Sequence, residues 1–353
     1  MSQFTGKPIL AVPLGDAAGI GPEIIAKLCA NGFLMEHAKP VLVGDEGVLK
    51  RGMRDTGVSF SYTVFGTMED AVEEAKTESG LVLMDTKSLD ASKVELSVVS
   101  AVNGKEEADN LVMIMDYCKR GLLEGFCFGP LNKAAMKNGG YHFESEHELF
   151  AQELGVMDKP HGEMNVLDGL WTSRATSHIP LKDVSAHLTL KTVGDAIDLA
   201  YETLKRAGYE DPKVAIAAIN PHGGDSGTCG REEIDVLRPA VARANAEGRN
   251  IVGPFPSDTL FIRAFKGEFD AVVTMYHDQG QIALKLKGFE RGVTVAAGQP
   301  YAITTPAHGT AYDIAGTGTC TTSALRPHTS CVPRWPLPTA PIRSSKTGQA
   351  DTF

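Results

Sequence analysis

Short apolar runs that alternate with helical stretches constrain the fold of this chain more than any other feature. PILAVPLG precedes GPEIIAKLCANGF, KPVLVGD precedes EGVLKRGM, and GFCFGP precedes LNKAAMKNGG, and the same pattern returns at KVAIAAIN and DAVVTMYHD. Strands that alternate with helices can lie side by side in one direction, because each helix carries the chain back across the sheet. The alternation predicts an α/β fold with substantially parallel strands.

One long helix is predicted from its apolar spacing. The residues that carry the spacing are Leu190, Val193, Ile197, Ala200 and Leu204. Steps of three and four residues place these side chains on one face of a helix. We therefore expect an amphipathic helix over residues 189–207.

Length and charge narrow the class of protein. The chain has 353 residues, of which 42% are hydrophobic, enough for two globular lobes with sizeable cores. Its 44 acidic residues outnumber 34 basic residues, for a formal net charge of -10. Binding to a phosphate backbone needs clustered positive charge, so nucleic acid is not an expected partner.

The sequence also bears on the compartment. It contains no stretch of about 20 unbroken apolar residues of the kind that spans a bilayer, and the start, MSQFTGKPILAVPLGD, lacks the apolar core of a signal peptide. The six cysteines are scattered and form no CxxC pair, as expected of reduced thiols. These features predict a cytoplasmic protein that does not bind membranes.

The pattern changes abruptly after Gly318. The segment TCTTSALRPHTSCVPRWPLPTAPIRSSKTGQA contains five prolines, no acidic residue and no helical period. We interpret residues 319–353 as an aberrant tail that is disordered. A frameshift or vector-derived sequence in place of the natural terminus is the sharper alternative, and it leaves open an inactive product with a damaged C-terminus.

Three histidines stand at the ends of apolar runs. His178 closes LWTSRATSH, His222 lies in AIAAINPHGG, and His277 closes AVVTMYHDQG. Strand ends are where α/β folds place their sites, and three imidazoles would hold a divalent ion such as Zn, Mg, Mn or Co with positions open for substrate. A single histidine is more often a packed or surface residue than a metal ligand. The spacing of these three is also wider than that of a compact zinc motif, which makes the sequence signal weaker.

Two further residues are candidates for catalysis near this cluster. Asp278 could orient His277 or move a proton, and Lys285 could neutralise an anionic substrate, although a helix cap and a solvated lysine are the plain alternatives.

The segment HELF at residues 147–150 lacks the second histidine of HExxH and indicates only a helix start. Neither GDAAGIGPE nor HGGDSGTCG contains GxGxxG, so a Rossmann cofactor site is not predicted.

Several longer strings occur together and in a fixed order. They are GDAAGIGPEI, GPLNKAAM, SHIPL, NPHGGDSGTCGREEID, GPFPSDTLF, MYHDQGQIALKLKGFERGV and HGTAYDIAGTG. Residues 7–318, which contain them, resemble the 4-hydroxythreonine-4-phosphate dehydrogenase family. NPH together with MYHDQG makes the resemblance specific.

The resemblance implies an isocitrate-dehydrogenase-like α/β fold with two α/β/α lobes around a cleft. Residues 1–137 with 288–318 would form lobe one, which carries the cofactor loop, and residues 138–287 would form lobe two, which carries the metal and the dimer contacts. The implied enzyme is a homodimer with shared active sites. Its metal would be ligated by His178, His222 and His277, contributed from both subunits.

The resemblance also implies the remaining site residues. HGTAYDIAG, with His308, Gly309 and Asp313, is similar to the loop that binds the adenosine side of NAD in that fold, and it leaves NADP open. Lys285 matches the family's substrate-contacting lysine. The implied reaction is oxidation of a CH–OH group by NAD.

Four positions depart from the family pattern. The family's substrate-binding His-Thr pair falls on Glu146 and His147, an asparagine becomes Thr294, and an arginine becomes Ile303. A carboxylate at 146 would repel an anionic substrate unless it is protonated or paired. We retain all four positions as predicted substrate contacts.

The run GQIALKLKGFERGVTV followed by ITTPAHGTAYDIAG is similar to the branch that oxidises 4-phospho-D-threonate and 4-phospho-D-erythronate. This resemblance implies oxidation followed by decarboxylation to dihydroxyacetone phosphate, a step of carbohydrate metabolism. The alternatives are 4-hydroxythreonine-4-phosphate dehydrogenation in pyridoxal phosphate synthesis and oxidation of an unphosphorylated diol acid.

Overall fold

The structure, a computed structural model, describes residues 6–288 and 291–323. The strands are β1 (Ile9–Pro13), β2 (Lys39–Gly44), β3 (Tyr62–Phe65), β4 (Leu81–Asp85), β5 (Gly125–Cys127), β6 (Gly162–Leu167), β7 (Leu170–Arg174), β8 (Val214–Ala217), β9 (Ile251–Phe255), β10 (Ala271–Thr274), β11 (Val293–Ala297) and β12 (Ala302–Pro306). The α-helices are α1 (Gly21–Ala30), α2 (Phe33–His37), α3 (Glu46–Thr56), α4 (Met68–Lys76), α5 (Ala101–Lys119), α6 (Lys133–Asn138), α7 (Glu146–Glu153), α8 (Val184–His187), α9 (Leu190–Arg206), α10 (Arg238–Ala246), α11 (Ser257–Ala264) and α12 (His277–Gly288).

The described strands form one sheet in the order β3-β4-β2-β1-β5-β12-β11-β6-β7-β10-β8-β9. Eight of the eleven pairings among these strands are parallel. The three antiparallel pairings, β12 with β11, β11 with β6 and β6 with β7, lie together in the middle of the sheet. The α/β fold with substantially parallel strands is confirmed.

The antiparallel strands β11 and β6 lie between two groups of parallel strands, and their pairing divides the sheet into two halves. One half contains strands from residues 1–137 and 288–318, and the other contains strands from residues 138–287. Helices carry the chain between parallel neighbours, and their apolar faces pack on the sheet in separate clusters. The division into two lobes around a cleft stays a prediction.

The predicted amphipathic helix is confirmed as α9. Thr189 caps its first turn, because its hydroxyl accepts from the amide of Thr192 and the Thr192 hydroxyl accepts from the amide of Thr189. Val193, Ile197 and Leu204 are fully buried against the sheet. Leu190, the first residue of the predicted stripe, is instead 48% exposed, because it lies in the first turn at the end of the helix. The apolar spacing therefore identified the helix and, apart from Leu190, the face that it buries.

Gly104 sets the distance between α5 and α6, and Gly104→Ala should destabilise the protein. A Cβ at this position would lie 1.9 Å from the carbonyl carbon of Ala135. Alanine is the better helix former, so a net loss of about 1–3 kcal/mol in the free energy of unfolding would come from the clash alone. Urea denaturation measures it. Gly80→Ala is the control, because nothing lies within 4 Å of its Cβ, and equal stability of the two variants would contradict the packing argument.

The described chain continues past Gly318. The ammonium of Lys27 donates to the carbonyls of Gly318 at 2.6 Å and Cys320 at 2.7 Å, and Cys320 is buried. Most of the predicted aberrant tail, residues 324–353, lies outside the described residues. Among the described helices, none is both long and apolar enough to cross a membrane.

Candidate functional site

The three candidate histidines follow three neighbouring strands. β10 pairs in parallel with β7 on one side and with β8 on the other, so the carboxyl ends of all three strands meet at one edge of the sheet. His178 lies in the loop after β7, His222 lies in the 3₁₀ segment Pro221–Gly227 after β8, and His277 is the first residue of α12 after β10. Sheet topology thus brings together positions that are tens of residues apart in the chain.

Two of these histidines are adjacent. The ring centroids of His178 and His277 are 5.5 Å apart, with the planes inclined by 45°. Nδ1 of His277 is 2.7 Å from Oδ1 of Asp278, an arrangement that holds the imidazole in one tautomer and leaves Nε2 to bind an ion. This pair fits the donor set of a divalent metal site.

His222 does not complete the set within one chain. It is exposed on the 3₁₀ segment, with a backbone φ of 55° in the left-handed region. Across residues 6–288 and 291–323, no group of three or more His, Cys, Asp or Glu side chains is arranged to hold a metal ion. A third ligand from another subunit, as the resemblance implies, stays a prediction.

Two adjoining cavities lie beside this edge of the sheet. One has a volume of about 320 Å³ and is lined by the predicted contacts Thr294, Ile303, His308 and Gly309, and the other has a volume of about 490 Å³ and reaches His178. Both are also lined by Lys133, Glu146, His147 and Glu163. Shared residues thus connect the predicted cofactor loop with His178, and we call the two cavities together the cleft.

Glu146 faces a cation that the sequence analysis missed. Lys133 begins α6 and Glu146 begins α7, and Nζ of Lys133 lies 3.1 Å from Oε2 of Glu146. The pairing answers the objection that a carboxylate here would repel an anionic substrate, because the lysine neutralises it. Lys133 stands in GPLNKAAM, where its position directly after the helix cap Asn132 is the signal that could have identified it.

His147, which lines both cavities, carries an unsatisfied ring nitrogen. Its Nδ1 is buried and has no hydrogen-bond partner among the described residues. Burial lowers the pKa of His147 more than the neighbouring carboxylates Glu163 and Glu146 raise it, so the ring is neutral at pH 7. A neutral imidazole with a free nitrogen is suited to a hydrogen bond with a ligand hydroxyl.

Glu163 and Arg174 form a second ion pair that the sequence analysis missed. Nη2 of Arg174 lies 2.6 Å from Oε2 of Glu163, and the side-chain nitrogen Nδ2 of Asn165 donates to Oε1 of Glu163 at 2.7 Å. The side chain of Arg174 is only 9% exposed and that of Glu163 only 25%. Nε of Arg174 also donates to Oγ of Ser177 at 3.0 Å, so the pair braces the loop that carries His178.

This pair should make stability fall in acid. Burial acts to raise the pKa of Glu163, but attraction to Arg174 and the Asn165 hydrogen bond outweigh it and lower that pKa to about 2. The contribution is present above the unfolded pKa of about 4.5 and is lost as the pH falls through 2, for a total of about 3 kcal/mol. Unfolding of the wild type and of Glu163→Gln, compared at pH 7 and pH 3, should show a stability difference that shrinks by about half at pH 3.

Glu124→Gln is the control of opposite sign, because burial raises the pKa of Glu124. The stability contributed by a group with a raised pKa is lost as the pH rises. The free energy of unfolding of the wild type, relative to that of Glu124→Gln, should therefore increase as the pH falls. A difference for Glu163→Gln that does not change with pH would contradict the ion-pair assignment.

Thr294 and Ile303 lie in the wall of the smaller cavity. The hydroxyl of Thr294 accepts from the side-chain nitrogen Nδ2 of Asn165 at 3.1 Å, and Ile303 is fully buried on β12. With Phe128 and Phe150 they add apolar surface to a cavity that Lys133 and Glu146 also line. The structure therefore places all four predicted substrate positions on the cleft.

The predicted cofactor loop enters the same cleft through His308 and Gly309. It packs on the turn between β1 and α1, where the amide of Ile20 donates to the carbonyl of Thr310 at 3.1 Å. The carboxylate of Glu23 accepts from the amides of Gly316 and Gly318 at 2.6 and 2.8 Å. Asp313 is exposed on this loop.

Lys285 lies apart from the two cavities of the cleft. It is eight residues after His277 on α12, about two turns further along the helix, and its side chain is exposed. It lines a separate small cavity with Asn165 and Gln281. A substrate contact by Lys285 stays a prediction.

The chain is similar to known proteins over most of its length. The family model described as "Pyridoxal phosphate biosynthetic protein PdxA" matches residues 36–329. A Pseudomonas aeruginosa protein named "Putative 4-hydroxythreonine-4-phosphate dehydrogenase 2" is 44% identical over 323 residues, which cover 90% of this chain and 94% of that protein. An Oceanobacillus iheyensis protein named "Putative D-threonate 4-phosphate dehydrogenase" is 36% identical over 88% of this chain and 93% of its own.

Among solved structures, a 4-hydroxythreonine-4-phosphate dehydrogenase from Klebsiella pneumoniae superposes with a TM-score of 0.81. It is 32% identical, and the alignment covers 93% of this chain and 98% of that one.

Proposed function

This chain belongs to the PdxA family of NAD-linked dehydrogenases of phosphorylated hydroxy acids, and on that premise we propose that it oxidises 4-phospho-D-threonate or 4-phospho-D-erythronate with loss of carbon dioxide. Hydride passes from C3 of the acid to NAD, and the C3 hydroxyl loses its proton. The resulting 3-oxo acid releases C1 as carbon dioxide, and C2 takes up a proton. The products are NADH, carbon dioxide and dihydroxyacetone phosphate.

The observation that carries the proposal is the set of residues shared by the two cavities. Lys133, Glu146, His147 and Glu163 stand between the predicted cofactor loop and His178. A four-carbon acid lying along them would place its oxidised carbon between the predicted cofactor loop and the ion proposed at His178 and His277. The name of the Oceanobacillus relative supports the choice of acid.

Lys133 supplies positive charge for the anionic substrate. It is the cation that lines both cavities, and half of its side chain is exposed to them and to solvent. Glu146 holds its ammonium at the cleft wall before substrate binds. An incoming phosphate or carboxylate would share that ammonium with Glu146, which fixes one end of the acid.

His147 would recognise a substrate hydroxyl. Its neutral ring offers a buried Nδ1 that lacks a partner among the described residues. A hydrogen bond to the substrate satisfies this nitrogen, whereas an apolar group in the same place would leave it unsatisfied at a cost of about 1–3 kcal/mol. This contact favours a polyhydroxy acid over a deoxy analogue.

His178 and His277 would hold one divalent ion, with His222 of a second subunit as the further ligand of a homodimer. When bound, such an ion lowers the pKa of a coordinated hydroxyl and stabilises negative charge on a carbonyl oxygen. Asp278 keeps Nδ1 of His277 engaged, so that Nε2 is directed to the ion. Of the two candidate roles of Asp278, we assign it that of orienting His277.

NAD would bind at the loop that carries His308, Gly309 and Asp313. Gly309 has nothing within 4 Å of a Cβ position, so a cofactor can approach the backbone closely there. His308 and Gly309 line the smaller cavity together with Glu146 and His147, so a nicotinamide ring that reached this cavity would lie beside the proposed substrate. This arrangement suits hydride transfer without a Rossmann motif.

4-Hydroxythreonine 4-phosphate is the second candidate substrate, and the name of the Pseudomonas relative favours it. It differs from the proposed acid by an ammonium in place of the hydroxyl at C2. A carboxylate such as Glu146 could accept from either group, so the cleft accommodates both in terms of charge. A direct comparison of the two substrates is therefore part of the test.

The test is a substrate screen that follows NADH at 340 nm. The panel contains 4-phospho-D-threonate, 4-phospho-D-erythronate, 4-hydroxythreonine 4-phosphate and unphosphorylated diol acids, each assayed after chelation and after metal is added back. We expect metal-dependent turnover of a phosphorylated tetronate with the highest kcat/KM. A higher value for the amino acid or for an unphosphorylated acid would overturn the assignment.

A further inference from the structure

We propose that Tyr312 is a positioning residue that fixes the cofactor loop to the substrate side of the cleft and thereby strengthens NAD(H) binding. The inference deepens the proposed function and rests on it for the identity of the loop. It depends on the contacts of one hydroxyl group, which joins three separate segments of the chain.

The hydroxyl of Tyr312 has two partners. It donates to Oδ2 of Asp16 in the turn after β1, and it accepts from Nδ2 of Asn132 at 2.9 Å in the loop after β5. These partners are 296 and 180 residues away in the sequence. One side chain thus connects the cofactor loop with two strand-end loops of the sheet.

Each partner is itself tied to the cleft. Asn132 caps α6, with its Oδ1 accepting from the amide of Ala135 at 3.0 Å, and the next residue is Lys133. At the other end of the connection, His308 and Gly309 precede Tyr312 by only three or four residues. The Tyr312 hydroxyl therefore links the lysine proposed to hold substrate to the loop proposed to hold NAD.

The groups around Asp16 keep this connection intact. Asp16 is fully buried and also accepts from the amide of Ala18 at 2.9 Å. Glu107 is the neighbouring carboxyl, whose Oε2 accepts from the backbone amide of Asn132 at 3.2 Å, and Arg51 is the nearby cation. Burial raises the pKa of Asp16 and raises that of Glu107 further, well above its usual range, so a proton in this pair belongs to Glu107 and Asp16 accepts from Tyr312.

The rest of the loop has its own anchors. The amide of Ile20 binds Thr310, and the carboxylate of Glu23 binds the amides of Gly316 and Gly318. Loss of the Tyr312 hydroxyl should therefore leave the loop folded and loosen only its part nearest the cleft. NADH would then have to order that part on binding, which weakens its affinity.

The experiment is fluorescence titration of NADH into the full chain, with its metal added. We expect Tyr312→Phe to raise the Kd for NADH about tenfold, since a hydrogen bond to a charged partner is among the stronger ones. The KM for NAD should rise similarly while kcat changes less than about threefold. Tyr117→Phe is the matched control, because its hydroxyl donates to the surface residue Glu69 at 3.1 Å, and its Kd should equal that of the wild type.

A second variant separates positioning from general destabilisation. Asp16→Asn should weaken NADH binding by the same mechanism, so the double variant should be no weaker than the poorer single variant. Additive losses, or an unchanged Kd for Tyr312→Phe, would overturn the proposal. Failure of the wild type to bind NADH would also overturn the proposal. If NADH binding weakens as expected but no phosphorylated tetronate is oxidised, the proposed function fails and the role of Tyr312 stands.

Discussion

His277→Ala should lower kcat/KM by at least about a thousandfold and release the bound metal. Replacement removes one of the two adjacent imidazoles, whose ring centroids are 5.5 Å apart. A catalytic ion contributes several kcal/mol to transition-state stabilisation, and each 1.36 kcal/mol is a factor of ten in rate. Metal content of the purified variant and its rate of NADH formation measure both effects.

His187→Ala is the control for His277→Ala. His187 is an exposed histidine at the end of α8, and its Nδ1 contacts only the carbonyl of Asp183 among the polar groups that the structure describes, at 2.8 Å. This variant should retain its metal and its rate. Full metal content and normal turnover in His277→Ala would show that the ion is held elsewhere.

Lys133→Met should reduce kcat/KM for the phosphorylated acid about a hundredfold, mostly through KM. The substitution removes the cation that lines both cavities, and it also leaves the Glu146 carboxylate without its partner at 3.1 Å. The unpaired carboxylate would then repel the substrate phosphate or carboxylate. Steady-state kinetics with the substrate identified in the screen give both constants.

Lys137→Met, one turn further along α6, is the matched control, because that lysine is exposed and outside both cavities. Combining Lys133→Met with Glu146→Gln separates the two causes. If repulsion by Glu146 dominates, the double variant regains most of the lost activity; if direct binding by Lys133 dominates, it does not. Kinetics of Lys133→Met within threefold of the wild type would contradict both.

The strand ends could be predicted because each apolar run is followed by a histidine, three to five residues beyond the last residue of the strand. His178, His222 and His277 follow β7, β8 and β10, and the sequence placed each of them at a strand end. It did not show that β10 lies between the other two strands. That neighbour relation depends on the packing of the whole sheet, which is a property of contacts distant in sequence.

The Glu163–Arg174 pair needed a hairpin that the apolar runs did not reveal. β6 and β7 are antiparallel and joined by Asp168 and Gly169, both with positive φ. Asp-Gly between two apolar runs is a known hairpin signal, so this part of the site was present in the sequence. Lys133 meeting Glu146 was not, because the pairing depends on how α6 and α7 approach the cleft.

The central claim is oxidative decarboxylation of a phosphorylated tetronate at this cleft. Its most direct test is to supply 4-phospho-D-threonate labelled with ¹³C at the carboxyl and to quantify NADH, labelled carbon dioxide and dihydroxyacetone phosphate in the same reaction. The account predicts equal amounts of all three, with none formed after metal is removed. NADH without labelled carbon dioxide, or no NADH at all from this acid, would contradict it.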